Sequence, residues 1–295
     1  MKFLRHRFIP LLLLAFYILQ SCNTAGSGEA VSLKFNLEKG KSYEYEIISS
    51  MQNEVQGQVM NSNMQFHYLI EVLDDNNGIK TLRNTYNRVK MQMDMPNTNV
   101  DIDTDTQQDT TANANDSTGI DNMMSDMFYA MKGKSFTMKV NASGEVVEIS
   151  GLEEMQQAMI DGLKANTEKR PYFEAGFKSQ FNEENLRQLF SQAFNIFPNK
   201  PVRVGDSWNK VMSINNGMTK INTTYTVKAI EPGSITLDAS STFDMMGSTG
   251  TQQGSFEINP QTGLITHAEY TQTFEGPMKM VTTTVIKGRE RVGGH

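Results

Sequence analysis

The chain has 295 residues and a formal net charge of −6, from 27 lysines and arginines against 33 aspartates and glutamates. That balance argues against nucleic acid and anionic lipid head groups as partners, and a single cysteine leaves no disulfide and no cysteine cluster for a metal. With 38% hydrophobic and 20% charged residues it reads as globular, one large domain or two small ones, unusual chiefly for 20 methionines against one tryptophan.

Lys2, Arg5 and Arg7 open the chain, an apolar run follows from Phe8 to Leu19, and Leu19-Gln20-Ser21-Cys22 ends it. Basic start, apolar core and small residue at the cut are the order of a secretory signal peptide, placed here at residues 1–21. The core is about a dozen residues, well short of the ~20 that a spanning helix needs. Leu-Gln-Ser-Cys resembles a lipobox, the cleavage and acylation site of bacterial lipoproteins, and so implies lipidation of Cys22. Two or more acyl chains, at ~0.8 kcal/mol for each buried methylene, make a stable anchor. Residues 22–30 then form a lipidated, flexible tether of small residues.

A β-rich body is expected over 31–287 and a polar tail over 288–295. Leu33, Phe35 and Leu37 alternate with polar residues, as do Tyr43, Tyr45 and Ile47, the period of half-buried strands. Phe66 to Val72 is another strand. Asp74-Asp75-Asn76-Asn77-Gly78 is a hairpin turn, since Asn-Gly takes positive φ readily, and Ile79 to Met95 returns from it. Residues 97–119 are Asn, Asp, Thr and Gln with almost nothing apolar, and are expected to be a disordered acidic loop.

Three helices are expected within 120–197, with a hairpin after the first. Ile120 to Met131 places Met123, Met124, Met127, Phe128 and Met131 on one face. Phe136–Val140 and Val146–Ile149 flank the turn Asn141-Ala142-Ser143-Gly144. Ser150-Gly151-Leu152-Glu153 reads as a capping box for a helix with Leu152, Met155, Met159 and Leu163 on its buried stripe. Asn182 caps the third helix, Glu183 and Glu184 suit its first turn, and Leu186, Leu189, Phe190, Ala193 and Phe194 form its stripe, ended by Pro198. Strands resume from Ile221, with a type II turn at Glu231-Pro232-Gly233-Ser234.

Three pairs of segments echo one another in order. Gly40-Lys41-Ser42-Tyr43 matches Gly205-Asp206-Ser207-Trp208; Tyr68 to Val72 matches Tyr225 to Ala229; Ser135-Phe136-Thr137-Met138 matches Ser255-Phe256-Glu257-Ile258. This points to a duplicated strand unit. The fold class expected is α+β, mainly antiparallel β, as a curved or half-closed barrel-like sheet with about three helices packed on or between its halves.

No catalytic constellation emerges, and no enzyme activity, cofactor or metal is expected. Gly205-Asp206-Ser207 contains the Gly-Asp-Ser of one esterase family, but that chemistry needs an Asp-x-x-His, and Leu264 stands three residues before His267. Asp101, Asp103, Asp105 and Asp109 imitate a calcium loop that lacks its glycine, with Thr106 there, and its bidentate glutamate, with Ala112 there. Met91, Met93 and Met95 alternate without a cysteine or histidine to complete a copper site, and read as a core or cavity wall. His67 and His267 each stand alone in a strand.

Export signal, Cys22, tether, β-rich body and the Gly-Asp-Ser-Trp turn together resemble the uncharacterised lipoproteins of Gram-negative envelopes grouped as domains of unknown function. The strands-plus-helices plan is also similar, more loosely, to the half-barrels of lipoprotein carriers. Asn23 after Cys22, with no acidic run behind it, fits anchoring in the outer membrane facing the periplasm. These resemblances imply a non-catalytic envelope lipoprotein holding a lipid or other apolar ligand between sheet and helices. Met124, Met127, Phe128, Met155, Met159, Phe190 and Phe194 are the candidate ligand-binding residues, thioethers being able to repack around variable apolar partners. The alternative is a structural or adaptor protein that docks an envelope protein partner and has no cavity.

Overall fold

The computed structural model describes residues 28–55, 57–95, 98–106, 120–162, 170–214, 219–245, 248–276 and 278–292. The signal peptide, Cys22 and most of the tether lie outside them, as do residues 107–119 and Leu163. The first half holds β1 (Ser42–Val55), β2 (Gln58–Asn76), β3 (Ile79–Met95), β4 (Thr98–Asp103), α1 (Ile120–Met131), β5 (Ser135–Val140), β6 (Val146–Ser150) and α2 (Leu152–Gly162). Then come α3 (Arg170–Gln180), α4 (Glu183–Phe194), β7 (Ser207–Ile214), β8 (Thr219–Glu231), β9 (Ser234–Met245), β10 (Ser248–Ile258), β11 (Ile265–Glu275) and β12 (Lys279–Glu290).

All twelve strands join one antiparallel sheet, in the order β6-β5-β3-β2-β1-β12-β11-β10-β9-β8-β7, with β4 pairing β3 off that path. Along the sheet the chain therefore reads β7 to β12 and then β1 to β6, two meanders running in the same sense. Eleven strands laid flat at ~4.8 Å spacing would span roughly 48 Å. Yet α4 and the turn after it touch both ends. Ser191 Oγ accepts from Val146 N at 3.4 Å on the β6 side, and Asn195 Oδ1 accepts from Lys210 Nζ at 2.9 Å on the β7 side. The sheet must curl to bring β6 and β7 to one helix. It is curved and not closed, and α4 occupies the seam.

Strand alternation decides which face is inside. Ile221, Thr223, Tyr225 and Val227 are buried along β8 while Asn222, Thr224 and Lys228 are exposed. The inner, core face carries a lattice of rings: Tyr68 and Tyr86 at 4.7 Å, Phe136 and Phe190 at 5.5 Å, Phe35 and Phe194 at 5.4 Å between centroids. The segment before β1 plugs one end of the curl. Leu33, Phe35 and Leu37 are buried there, Phe35 N donates to Ala142 O at 2.9 Å, and Asn36 N donates to Thr262 O at 2.8 Å. Gly144 closes this end against α4; its φ is 83°, and a Cβ would lie 1.7 Å from the Phe194 carbonyl oxygen.

Several expectations hold in detail. Asn182 caps α4, its Oδ1 accepting from Asn185 N at 2.9 Å. The Asn77-Gly78 turn has φ 53° and 81°, and Gly233 has φ 86° as a type II turn requires.

Others are corrected. Part of the expected acidic loop is strand: Thr98–Asp103 forms β4, because Val100 and Ile102 bury against Met91 on the half of β3 that β5 does not pair. A fourth helix, α3, joins the expected three. Ser150 ends β6, paired with Thr137, so Gly151 with φ 78° and not the serine precedes α2. The polar tail is shorter than 288–295, because Gly288, Arg289 and Glu290 pair with Tyr45, Glu44 and Tyr43 as the end of β12. Leu189 is 56% exposed despite its place on the apolar stripe of α4, because it lies at the rim of a cavity.

Candidate functional site

Among the described residues a space opens against each face of the sheet. On the core face a cavity of about 200 Å³ lies between α4 and the sheet, walled by Leu189, Phe190 and Ala193 of the helix and by Phe66, Tyr225 and Phe256 among the strand residues. Ile47 and Ile286, directly opposite in β1 and β12, also face it. Its polar groups are uncharged: Thr223, Gln252 and Gln272, with the hydroxyls of Tyr68, Tyr225 and Tyr270. Burial raises the pKa of all three tyrosines, Tyr68 the most clearly, so their hydroxyls stay neutral at any physiological pH. Tyr86, hydrogen-bonded to Tyr68, is pushed by burial up to about 12.

Trp208 stands behind this wall. Its indole stacks on Tyr225 at 5.7 Å, and Nε1 donates to Ile196 O at 2.8 Å, so the tryptophan packs inward as its strand position predicts. Ser207, beside it, bonds Thr226 Oγ1 at 2.8 Å, while Asp206 Oδ2 accepts from Arg203 N at 2.8 Å. Asp206 is engaged in the turn before β7, and Ser207 in a cross-strand pair with β8.

On the outer face a cleft of about 690 Å³ is lined by Glu44, Glu46, Arg88, Asp105, Lys287 and Arg289 together with His67 and His267. Sequence reading left the two histidines isolated; the register puts them in one row. Arg88 lies opposite His67, His67 opposite Glu46, Glu46 opposite Lys287, and Lys287 opposite His267. No local signal could have shown this, since β1 and β12 are more than two hundred residues apart in the chain.

The charges in the cleft neutralise one another. Glu46 meets Lys287 at 3.1 Å, Glu44 meets Arg289 at 2.5 Å, and Arg88 grips Asp103 through two bonds of 2.9 and 2.5 Å. The guanidinium bonds hold the Asp103 carboxyl at about 2 against the opposing cost of burial. Burial raises Glu46, but Lys287 and Gln65 outweigh it and hold the carboxyl below its usual value. His67 Nε2 lies 3.8 Å from Glu46 Oε1 and has no hydrogen-bond partner. Among the described residues no group of three or more His, Cys, Asp or Glu side chains is placed to hold a metal ion, and no helix is long and apolar enough to cross a membrane.

The structure scatters the candidate ligand-binding residues. Phe190 lines the cavity. Phe194, Met155 and Met159 are buried in the solid core. Met127 is half-buried against that core, Met124 packs on the small cluster of Met91, Val100 and Ile102, and Phe128 touches both. One methionine not singled out in the sequence, Met212 on β7, lines the cavity; Met280 on β12 packs instead against Ile221, Phe243 and Phe274. The alternation of β7 was legible in the sequence, but not which of its faces was inward.

Residues 77–265 match the model of a family of unknown function, DUF6263, well over half of the chain, and the chain belongs to that family. No curated protein matches it. Among solved structures, lipovitellin is similar at 11% identity and a TM-score of 0.46 over 88% of this chain; the chain spans 26% of lipovitellin's length. The β domain of the Bordetella autotransporter BrkA is similar at 8% identity and a TM-score of 0.37, over 84% of this chain and 98% of that one. A putative exported protein with a YmcC-like fold from Bacteroides fragilis is similar at 9% identity and a TM-score of 0.26, over 88% and 100%.

Proposed function

We propose that this DUF6263 protein is a non-catalytic envelope lipoprotein, anchored in the outer membrane through acylated Cys22 and facing the periplasm, that holds an apolar ligand between α4 and its sheet. The observation that carries the ligand is the cavity: apolar walls, uncharged polar groups and no charged side chain among the described lining residues, at a helix that bridges the sheet's two ends. About 200 Å³ suits part of one chain-like ligand rather than a whole phospholipid. The anchor rests on the signal-peptide order and Leu19-Gln20-Ser21-Cys22.

The test is mass spectrometry of organic extracts from the full-length protein released from membranes. A stoichiometric apolar compound is expected from the wild type and not from Ala193→Phe, which fills the cavity. Equal extracts from both would overturn the reading. Fatty-acid labelling in cells is expected to mark the wild type, and a Cys22→Ala protein that still labels would remove the anchor. The adaptor reading draws on one feature, Val211, which is 63% exposed on edge strand β7; crosslinking in cells that traps one dominant protein through β7 would favour it.

A further inference from the structure

The cavity's polar groups narrow its ligand, an inference that rests on the apolar-ligand reading above. Across the sheet Gln272 lies opposite Gln252, Gln252 opposite Ser241 and Ser241 opposite Thr223, one belt over four strands of the core face. Thr223 and Ser241 satisfy each other through their hydroxyls at 2.8 Å. Gln272 Nε2 donates to Gln252 Oε1 at 2.8 Å. A side-chain amide has two N–H donors and one carbonyl. That single bond therefore leaves an NH₂ group on Gln252 and a carbonyl oxygen on Gln272 for a guest.

The belt lies between two apolar zones. Toward the plugged end are Tyr225, Phe256 and Phe190. Toward the open end the next row on the same face runs Met212, Ile221, Phe243, Gly250, Phe274 and Met280. Among the described residues no charged side chain lines the cavity; Lys210, opposite Thr223 at the β7 end of the same row, donates to Asn195 Oδ1 at 2.9 Å and lies three strands from Gln252, so a carboxylate or phosphate held at the glutamine pair would be desolvated without a counter-charge beside it. A neutral carbonyl would instead meet a ready donor.

We propose that the cavity takes an acyl chain joined through a neutral ester or amide, with the carbonyl at the Gln252–Gln272 pair. The chain runs toward Phe256 and Phe190. The remainder of the molecule leaves over the Met212–Met280 row, whose thioethers can adapt to it.

Full-length protein in nonionic detergent is photo-crosslinked at pH 8 with either of two diazirine probes, methyl palmitate or free palmitic acid, and the labelled peptides are identified by mass spectrometry. The ester is expected to label α4, β10 and β11 roughly tenfold more than the ionised acid, the factor a modest charge-burial penalty produces. Gln252→Met should shrink that ratio toward one, and Gln272→Met gives the same readout if the first variant fails to fold. An acid that labels the cavity as well as the ester, or an unchanged ratio in the glutamine variants, would overturn the carbonyl assignment while leaving an apolar ligand in place. No cavity labelling by either probe would sink both.

Discussion

The cleft on the outer face holds about 690 Å³ and the cavity on the core face about 200 Å³, yet the smaller space is the better candidate for a ligand. The difference lies in how each treats its polar groups. In the cleft, Glu44, Glu46, Arg88, Asp105, Lys287 and Arg289 all have partners of opposite sign within the sheet. A guest there would have to break pairs that already satisfy one another. In the cavity the belt glutamines are only half used, and the surrounding walls are apolar. Volume alone marks where solvent fits; unspent hydrogen-bonding capacity in a dry wall marks where a ligand would gain something.

That contrast can be strained experimentally, most strongly at the plug. Phe35 is buried beneath Phe194 and Phe197 on the core face. Phe35→Ala is expected to cost about 3–5 kcal/mol in denaturant unfolding, and a loss under about 1 kcal/mol would show that the N-terminal segment packs more loosely than the structure has it.

The Arg88–Asp103 pair is the least exposed ion pair of the outer cleft and fastens β4 to β3. Asp103 is held at about 2, below the usual range of an aspartate, by its bonds to the Arg88 guanidinium. A carboxyl depressed in the folded state contributes stability that is complete above the unfolded value of ~3.9 and fades as pH falls through the folded one. Asp103→Asn should therefore cost up to about 2 kcal/mol at pH 7 and almost nothing near pH 2. A cost that does not change with pH would remove the ion pair as its source.

Asn84 tests the core face from the opposite side. It is fully buried between Ile70 and Phe136, with neither amide atom hydrogen-bonded. Replacing such a group with a similar apolar one relieves a desolvation cost of about 1–3 kcal/mol. Asn84→Leu should raise the melting temperature, and a destabilised variant would mean that a partner, such as a buried water, serves the amide.

The smallest effect belongs to the exposed rim of the cleft. Lys287→Ala should cost less than about 1 kcal/mol, and the cost should shrink further as salt screens its pairing with Glu46. A larger, salt-independent loss would mean that the outer row carries more of the fold than its exposure indicates.

Much of this architecture was legible from residue pattern. Strand alternation, the Asn182 cap and the Asn-Gly and Pro-Gly turns are local properties, set by side-chain period and backbone preference, and they hold. What failed needed long-range information. Residues 98–103 look like loop because their polar members dominate, and only pairing with Met91 and Met93 reveals Val100 and Ile102 as an inner face. Leu189 fits the apolar stripe of α4, but a cavity replaces the packing that would have covered it. The Gln252–Gln272 pair, twenty residues apart, depends on the register of β10 against β11. His67 and His267 share a row only because β1 pairs with β12. A methionine-rich helix face is visible in sequence, but the same thioethers pack equally well into solid core, as Met155 and Met159 do.

The most direct measurement uses the one tryptophan. Trp208 stacks on Tyr225, and Tyr225 lines the cavity. A brominated acyl ester added to the full-length protein should quench Trp208 fluorescence saturably, and Ala193→Phe should abolish the quenching. Fluorescence that stays unquenched, or that is quenched equally in the filled variant, would contradict a ligand site between α4 and the sheet.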